Sequence, residues 1–148
     1  MEEGIKMSVK VVCPHCGKVN KIPKKDSYAK AICGHCKESM LEQKPLEVNK
    51  EELLHILVNS DIPVMVDFWA PWCGPCRQMA PAFEEASREL SLHVQCLKVN
   101  TEEHQDLGAI YGIRSIPTLI MFKGTKEVDR ISGAMSAGRL VSWAKQFV

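Results

Sequence analysis

The sequence predicts an α/β protein, a central mixed sheet flanked by helices, preceded by a small zinc-ribbon-like module. Three observations predict it. From Leu46 onward, strand and helix patterns alternate, which favours a sheet covered on both faces. The run Val64–Trp69 is apolar apart from Asp67, the mark of a central strand buried on both sides. Near Pro45 the composition changes: residues 1–45 hold nine Lys/Arg against five Asp/Glu, a formal +4, whereas residues 46–148 hold ten against thirteen, a formal −3. The chain is therefore read as a module over 1–45 and a larger domain over 46–148.

The elements of the larger part follow in order. Leu46–Val48 is a short strand. Asn49 with Glu52 forms a capping pair, opening a helix expected to bury Leu53, Leu54, Leu57 and Val58. After the Val64–Trp69 strand, a long helix begins near Gly74 and carries Met79, Phe83 and Leu90 among charges, with Pro81 interrupting its hydrogen bonds. Val94–Val99 is the next strand. Thr101 is expected to start a shorter helix that runs to about Tyr111 and stops at Gly112. Thr118–Phe122 and Lys126–Ser132 read as a hairpin turning at Lys123-Gly124-Thr125. Ser136 caps a last helix presenting Leu140, Trp143, Ala144 and Phe147.

Composition narrows the class. Seven cysteines, an odd number, argue against a secreted disulfide scaffold. The opening Met1-Glu2-Glu3-Gly4-Ile5-Lys6 lacks a basic start followed by an apolar core, and no window is apolar over the roughly 18 residues that span a bilayer. The expectation is a soluble, cytoplasmic protein without a membrane partner, in a compartment where paired cysteines are metal ligands or redox catalysts. Four thiolates on a divalent cation would cut the module's charge to about +2, so no nucleic-acid partner is expected.

Six cysteines fall into three Cys-x-x-Cys pairs, and Cys96 stands alone inside a strand as a small buried hydrophobe. In Trp72-Cys73-Gly74-Pro75-Cys76 the two thiols sit one turn apart at the mouth of a helix, close enough to form a disulfide. The thiol nearer the helix start faces unpaired N–H groups and the positive end of the helix dipole. Cys73 is therefore the candidate nucleophile and Cys76 the candidate resolving thiol.

Cys13-Pro14-His15-Cys16 and Cys33-Gly34-His35-Cys36 are separated by sixteen residues, the spacing of a four-cysteine metal site. Four sulfurs complete a tetrahedral shell with no open position, so Cys13, Cys16, Cys33 and Cys36 are expected to hold one structural Zn²⁺ per chain, with iron the alternative metal. The neighbouring His15 and His35 are then knuckle residues. Cys-Gly-His-Cys also resembles the active site of protein disulfide isomerase, but no buried strand leads into it and no amphipathic helix follows.

Val66-Asp67-Phe68-Trp69-Ala70-Pro71-Trp72-Cys73-Gly74-Pro75-Cys76 resembles the thioredoxin family, and the resemblance continues through Ile116-Pro117-Thr118 and Gly133-Ala134 across the span from about Pro45 to Val148. The four-cysteine segment ahead of it resembles the thioredoxin-2 type. The resemblance implies the thioredoxin fold and reduction of protein disulfides. Gly74-Pro75 between the cysteines marks a reductant. It also implies a cis Ile116-Pro117 peptide beside the dithiol, and a surface of Trp72, Gly74, Pro75, Ile116, Pro117, Gly133 and Ala134 that receives an extended substrate chain. Its partners would be disulfide-bearing client proteins and an NADPH-dependent flavoprotein thioredoxin reductase, with the protein itself a monomer.

Asp67 stands alone as a charge within an apolar strand, where ionisation is costly and the pKa rises. It is the candidate base for the Cys76 proton, a role the resemblance also assigns, and Lys98 in the neighbouring strand would moderate it. The rival reading is a zinc-dependent client-binding adaptor or holdase on a thioredoxin scaffold, which would lack turnover.

Overall fold

The structure, a computed structural model, describes residues 8–41 and 44–148; the Met1–Lys6 opening lies outside the described residues. Two sheets form. In the first, β1 (Ser8–Val12) pairs antiparallel with β2 (Val19–Pro23), Val12 lying opposite Val19. The second has five strands in the order β3-β5-β4-β6-β7: β3 (Leu46–Glu47), β4 (Val64–Trp69), β5 (Gln95–Asn100), β6 (Thr118–Lys123) and β7 (Lys126–Ser132). β3, β5 and β4 run parallel, and β6 and β7 are antiparallel additions, giving the mixed sheet of the thioredoxin fold.

Alternation along β4 assigns the helices to faces. Val64, Val66 and Phe68 pack with Leu53, Ile56 and Leu57 of α1 (Lys50–Asn59) and Leu107 of α3 (Gln105–Ile110). Met65, on the other face, packs with Met79 and Phe83 of α2 (Gly74–Glu89) and Leu140 and Trp143 of α4 (Ala137–Lys145). β4 is thus covered on both sides, as its unbroken apolar run requires.

Two local readings change. The Asn49/Glu52 capping box forms, but α1 buries Leu53, Ile56 and Leu57 while Leu54 and Val58 are exposed. The sequence offers two adjacent apolar pairs, and Ile56 decides which stripe faces the sheet. The helix expected from Thr101 begins only at Gln105, because Asn100 Oδ1 accepts the N–H groups of Glu102 (3.0 Å) and Glu103 (3.3 Å) and holds a turn there.

The N-terminal hairpin is welded to the five-stranded body. Val9, Val11, Ile22, Cys13, Cys33 and Met40 share one apolar cluster with Ile62 and Leu92, and Val12 joins the α1/α3 core. Polar seams follow the same line. Gln95 Nε2 donates to Val12 O at 3.2 Å, Ser91 Oγ to Leu41 O at 2.8 Å, and His55 Nε2 to Gly17 O at 2.6 Å. His93 Nε2 donates to Lys25 O at 3.1 Å, and its ring lies 5.5 Å from that of Tyr28. Ile62, Leu92, His93 and Gln95 all lie where β4 and β5 begin, the opposite end of the sheet from Cys73.

Candidate functional site

At the far end of β4 the chain turns through Ala70–Cys73 into α2. Cys73 is the N-cap, with extended backbone (φ −83°, ψ 112°), and its Sγ accepts the Cys76 N–H at 3.2 Å. Pro75 in the first turn lacks an N–H where none could be paired within the helix. Cys73 and Cys76 form a disulfide with Cα atoms 5.3 Å apart, and both are buried. Trp72 beside them is 67% exposed, leaving its indole free for an approaching chain.

The loop before β6 reaches the same spot. The Ile116–Pro117 peptide is cis, and Ile116 O lies 3.7 Å from Cys73 Sγ. Gly133 N–H donates to Pro117 O at 2.9 Å, drawing the end of β7 against that loop. The Gly133 φ of +98° is in the region where a Cβ is strained. Trp72, Gly74, Pro75, Gly133 and Ala134 are all exposed around this point, with Ile116 half-buried and Pro117 buried.

Asp67 is buried in the middle of β4, on the face covered by α2, and its Oδ1 has no hydrogen-bond partner among the described residues. Burial pushes its pKa up to about 7; the Lys98 ammonium opposes the rise and Glu47 reinforces it. A carboxyl near neutrality can gain or lose a proton in the working range. Cys96 is fully buried in the α2/α4 core, where desolvation pushes its thiol up to about 12, so it behaves as a hydrophobe.

The four other cysteines converge. Their Sγ atoms all lie within 4.8 Å of one another, with Cys13–Cys36 and Cys16–Cys33 both at 3.7 Å. A tetrahedron with Zn–S bonds of about 2.3 Å has edges of about 3.8 Å, so the donor set fits a tetrahedral ion. The two knuckles repeat one geometry. Cys13 N–H donates to Lys18 O and Gly17 N–H to Cys13 O, while Cys33 N–H donates to Glu38 O and Lys37 N–H to Cys33 O, all between 2.8 and 3.0 Å. Gly17 and Lys37 both have positive φ, 78° and 68°.

Donors converge on one sulfur as a thiolate requires. The N–H groups of Cys36 and His35 and the Asn20 amide point at Cys33 Sγ at 3.3–3.4 Å and hold its pKa down at about 5. Burial pushes Cys13 up to about 12, and four clustered negative charges become compatible only around a cation. His15 Nε2 donates to Ser39 O at 3.0 Å, which ties one knuckle to the other. Asn20, whose Oδ1 also accepts the Gly34 N–H at 2.9 Å, has no signature in the sequence because nothing local marks a contact fourteen residues away.

Comparison with known proteins bears on both sites. The family model described as Thioredoxin matches residues 44–146. The chain is 39% identical over 136 residues to Thioredoxin C-3 of Corynebacterium nephridii, covering 92% of this chain and 93% of that protein. It is 50% identical over 86 residues to Thioredoxin 1 of Nostoc sp., covering 58% of this chain and 77% of that one. Among solved structures, a mutant thioredoxin from Halobacterium salinarum superposes with a TM-score of 0.65 at 30% identity, covering 70% of this chain and 90% of that chain.

Proposed function

Because this chain belongs to the thioredoxin family and is a thiol-disulfide oxidoreductase, we propose that it reduces protein disulfides through Cys73 and Cys76, as a member of the thioredoxin-2 type. The observation that carries the reading is the placement of Cys73 Sγ, which accepts the Cys76 N–H at 3.2 Å at the start of α2 and lies 3.7 Å from Ile116 O. In the reduced protein the same N–H and the helix dipole favour the Cys73 thiolate.

That thiolate attacks one sulfur of a client disulfide, the client S–S bond breaks, and the departing client sulfur takes up a proton. A mixed disulfide now joins Cys73 to the client. Asp67 accepts the Cys76 proton, and the Cys76 thiolate attacks Cys73 Sγ. The second client thiol leaves and the protein keeps the Cys73–Cys76 disulfide, so two electrons have passed to the client. An NADPH-dependent thioredoxin reductase returns the protein to the dithiol.

An extended client segment pairs with the exposed backbone at Ile116 and rests on Trp72, Gly74, Pro75, Pro117, Gly133 and Ala134. Cys13, Cys16, Cys33 and Cys36 hold one structural Zn²⁺, with iron the alternative; the metal supplies folding energy to residues 1–45, which have few apolar side chains of their own. The 136-residue match to Thioredoxin C-3 supports this architecture, since a window of that length must include the four-cysteine segment. No described helix is long and apolar enough to cross a membrane, and a monomer in the cytoplasm is the simplest setting.

Turnover decides between this reading and the adaptor. With NADPH and a thioredoxin reductase, the protein should catalyse reduction of a model protein disulfide over many cycles. Stoichiometric client binding without NADPH consumption would favour the adaptor instead.

A further inference from the structure

β3 contributes two residues to the sheet, and one of them occupies an unexpected place beside the dithiol chemistry. Glu47 lies opposite Lys98, and Lys98 lies opposite Asp67, in the registers of β3 with β5 and of β5 with β4. Paired residues on neighbouring strands project to the same face. Carboxylate, ammonium and carboxylate therefore form a row across three strands at intervals of about 4.8 Å, which puts Glu47 about 10 Å from Asp67.

Trp69, two residues beyond Asp67 on the same face, ties the row together. Its Nε1–H donates to Glu47 Oε1 at 2.7 Å, and the Lys98 Nζ lies 4.3 Å from the centre of its ring. Without such a tether, an exposed glutamate on an edge strand would sweep freely through solvent. Among the described residues only Lys98 and Glu47 act on Asp67 as charges: Leu119 lies opposite it on β6, Cys96 precedes Lys98 along β5, and α2 and α4 bring Met79, Phe83, Leu140 and Trp143 to this face.

We propose that Glu47 is a positioning residue for disulfide reduction, its carboxylate fixed by Trp69 so that, across Lys98, it sets the field in which Asp67 exchanges its proton. The inference rests on the reading of Asp67 as the acceptor of the Cys76 proton. Lys98 favours the Asp67 carboxylate and Glu47 disfavours it, in the directions already given. Glu47 offsets the lysine, so the Asp67 carboxylate is a stronger base for the Cys76 proton than it would be beside Lys98 alone.

The test is the pH–rate profile of protein-disulfide reduction at low ionic strength for the unaltered chain, Glu47→Gln, Lys98→Gln and Asp67→Asn. Glutamine keeps an oxygen for the Trp69 N–H and removes only the charge. Glu47→Gln should move the Asp67-dependent acid limb down by about 0.3 to 1.2 pH units, the Coulomb effect at 10 Å between bulk water and an effective dielectric of 20. Lys98→Gln should move it up, and added salt should shrink both shifts. If Asp67→Asn removes the limb while Glu47→Gln leaves it in place, the Glu47 role is overturned and the Asp67 reading stands. A limb surviving in Asp67→Asn overturns the Asp67 reading itself. A Glu47→Gln shift that persists on the Asp67→Asn background shows that Glu47 acts elsewhere and also overturns the proposal.

Discussion

Lys10 and Asp61 exchange two hydrogen bonds: the Lys10 N–H donates to Asp61 Oδ2 at 2.8 Å, and the Asp61 N–H donates back to Lys10 O at 2.8 Å. One residue belongs to β1 and the other to the loop between α1 and β4, so the pair joins the four-cysteine module to the body. Asp61→Ala should strand the Lys10 N–H at the seam and lower stability by about 1 kcal/mol. Thermal unfolding should remain a single transition with a Tm lower by a few degrees. Two separated transitions in the unaltered chain would show that the two parts unfold independently.

The unequal placement of the two catalytic thiols leads to different fates for their variants. Cys73→Ser should abolish disulfide reduction, because nothing remains to open the client bond. Cys76→Ser should accumulate covalent complexes with clients, visible on non-reducing gels. Equal trapping by both variants would contradict the roles.

For Asp67 the linkage has a definite sign. The folded-state pKa, about 7, lies above the ordinary value of 3.8, so the folded protein binds the proton more tightly than the unfolded chain. The contribution favours the fold fully below about pH 4 and is lost as pH rises to about 7. Asp67→Asn should therefore be more stable than the unaltered chain at pH 8, with the gap closing toward pH 4 in denaturant titrations. The same variant should reduce disulfides more slowly, most of all below the pH at which Cys76 ionises unaided. Slower turnover without a stability gain at pH 8 would locate the defect somewhere other than this buried carboxyl.

Removing the four-cysteine module should separate stability from chemistry. A chain starting at Pro45 keeps every group from Asp67 to Ala134 but exposes Ile62 and Leu92, which the module now covers. It should still reduce a model disulfide, melt at a lower temperature and self-associate more readily. In the full chain, a strong oxidant should pair the metal cysteines and release about one zinc per chain. Metal analysis finding none bound to freshly reduced protein would remove the structural-zinc reading.

Local signals made much of the fold legible. The capping pair at Asn49 and Glu52, the apolar run of β4 and the turn at Gly124 each depend on neighbours within a few residues, and each appears where it was read. The β1–β2 hairpin carries no such signal, because Val9 and Val11 form too short an alternation to stand out before the cysteine motif. Glu47 and Asn20 were invisible for another reason. Glu47 reaches Trp69 across twenty-two residues and Asn20 reaches Cys33 across thirteen, and each looks in sequence like an ordinary polar surface residue.

The seating of the module at the start of β4 and β5, with Cys73 beyond their far ends, separates two populations of reactive sulfur within one molecule. The six residues of β4 alone span about 20 Å, whereas thiol–disulfide exchange requires the sulfurs to touch. Cys73 therefore has no unimolecular route to Cys13, Cys16, Cys33 or Cys36 in the folded chain. Scrambling between the two sets must be a collision between two molecules, second order in protein concentration, so dilution alone protects the four N-terminal thiols from the chain's own Cys73–Cys76 disulfide.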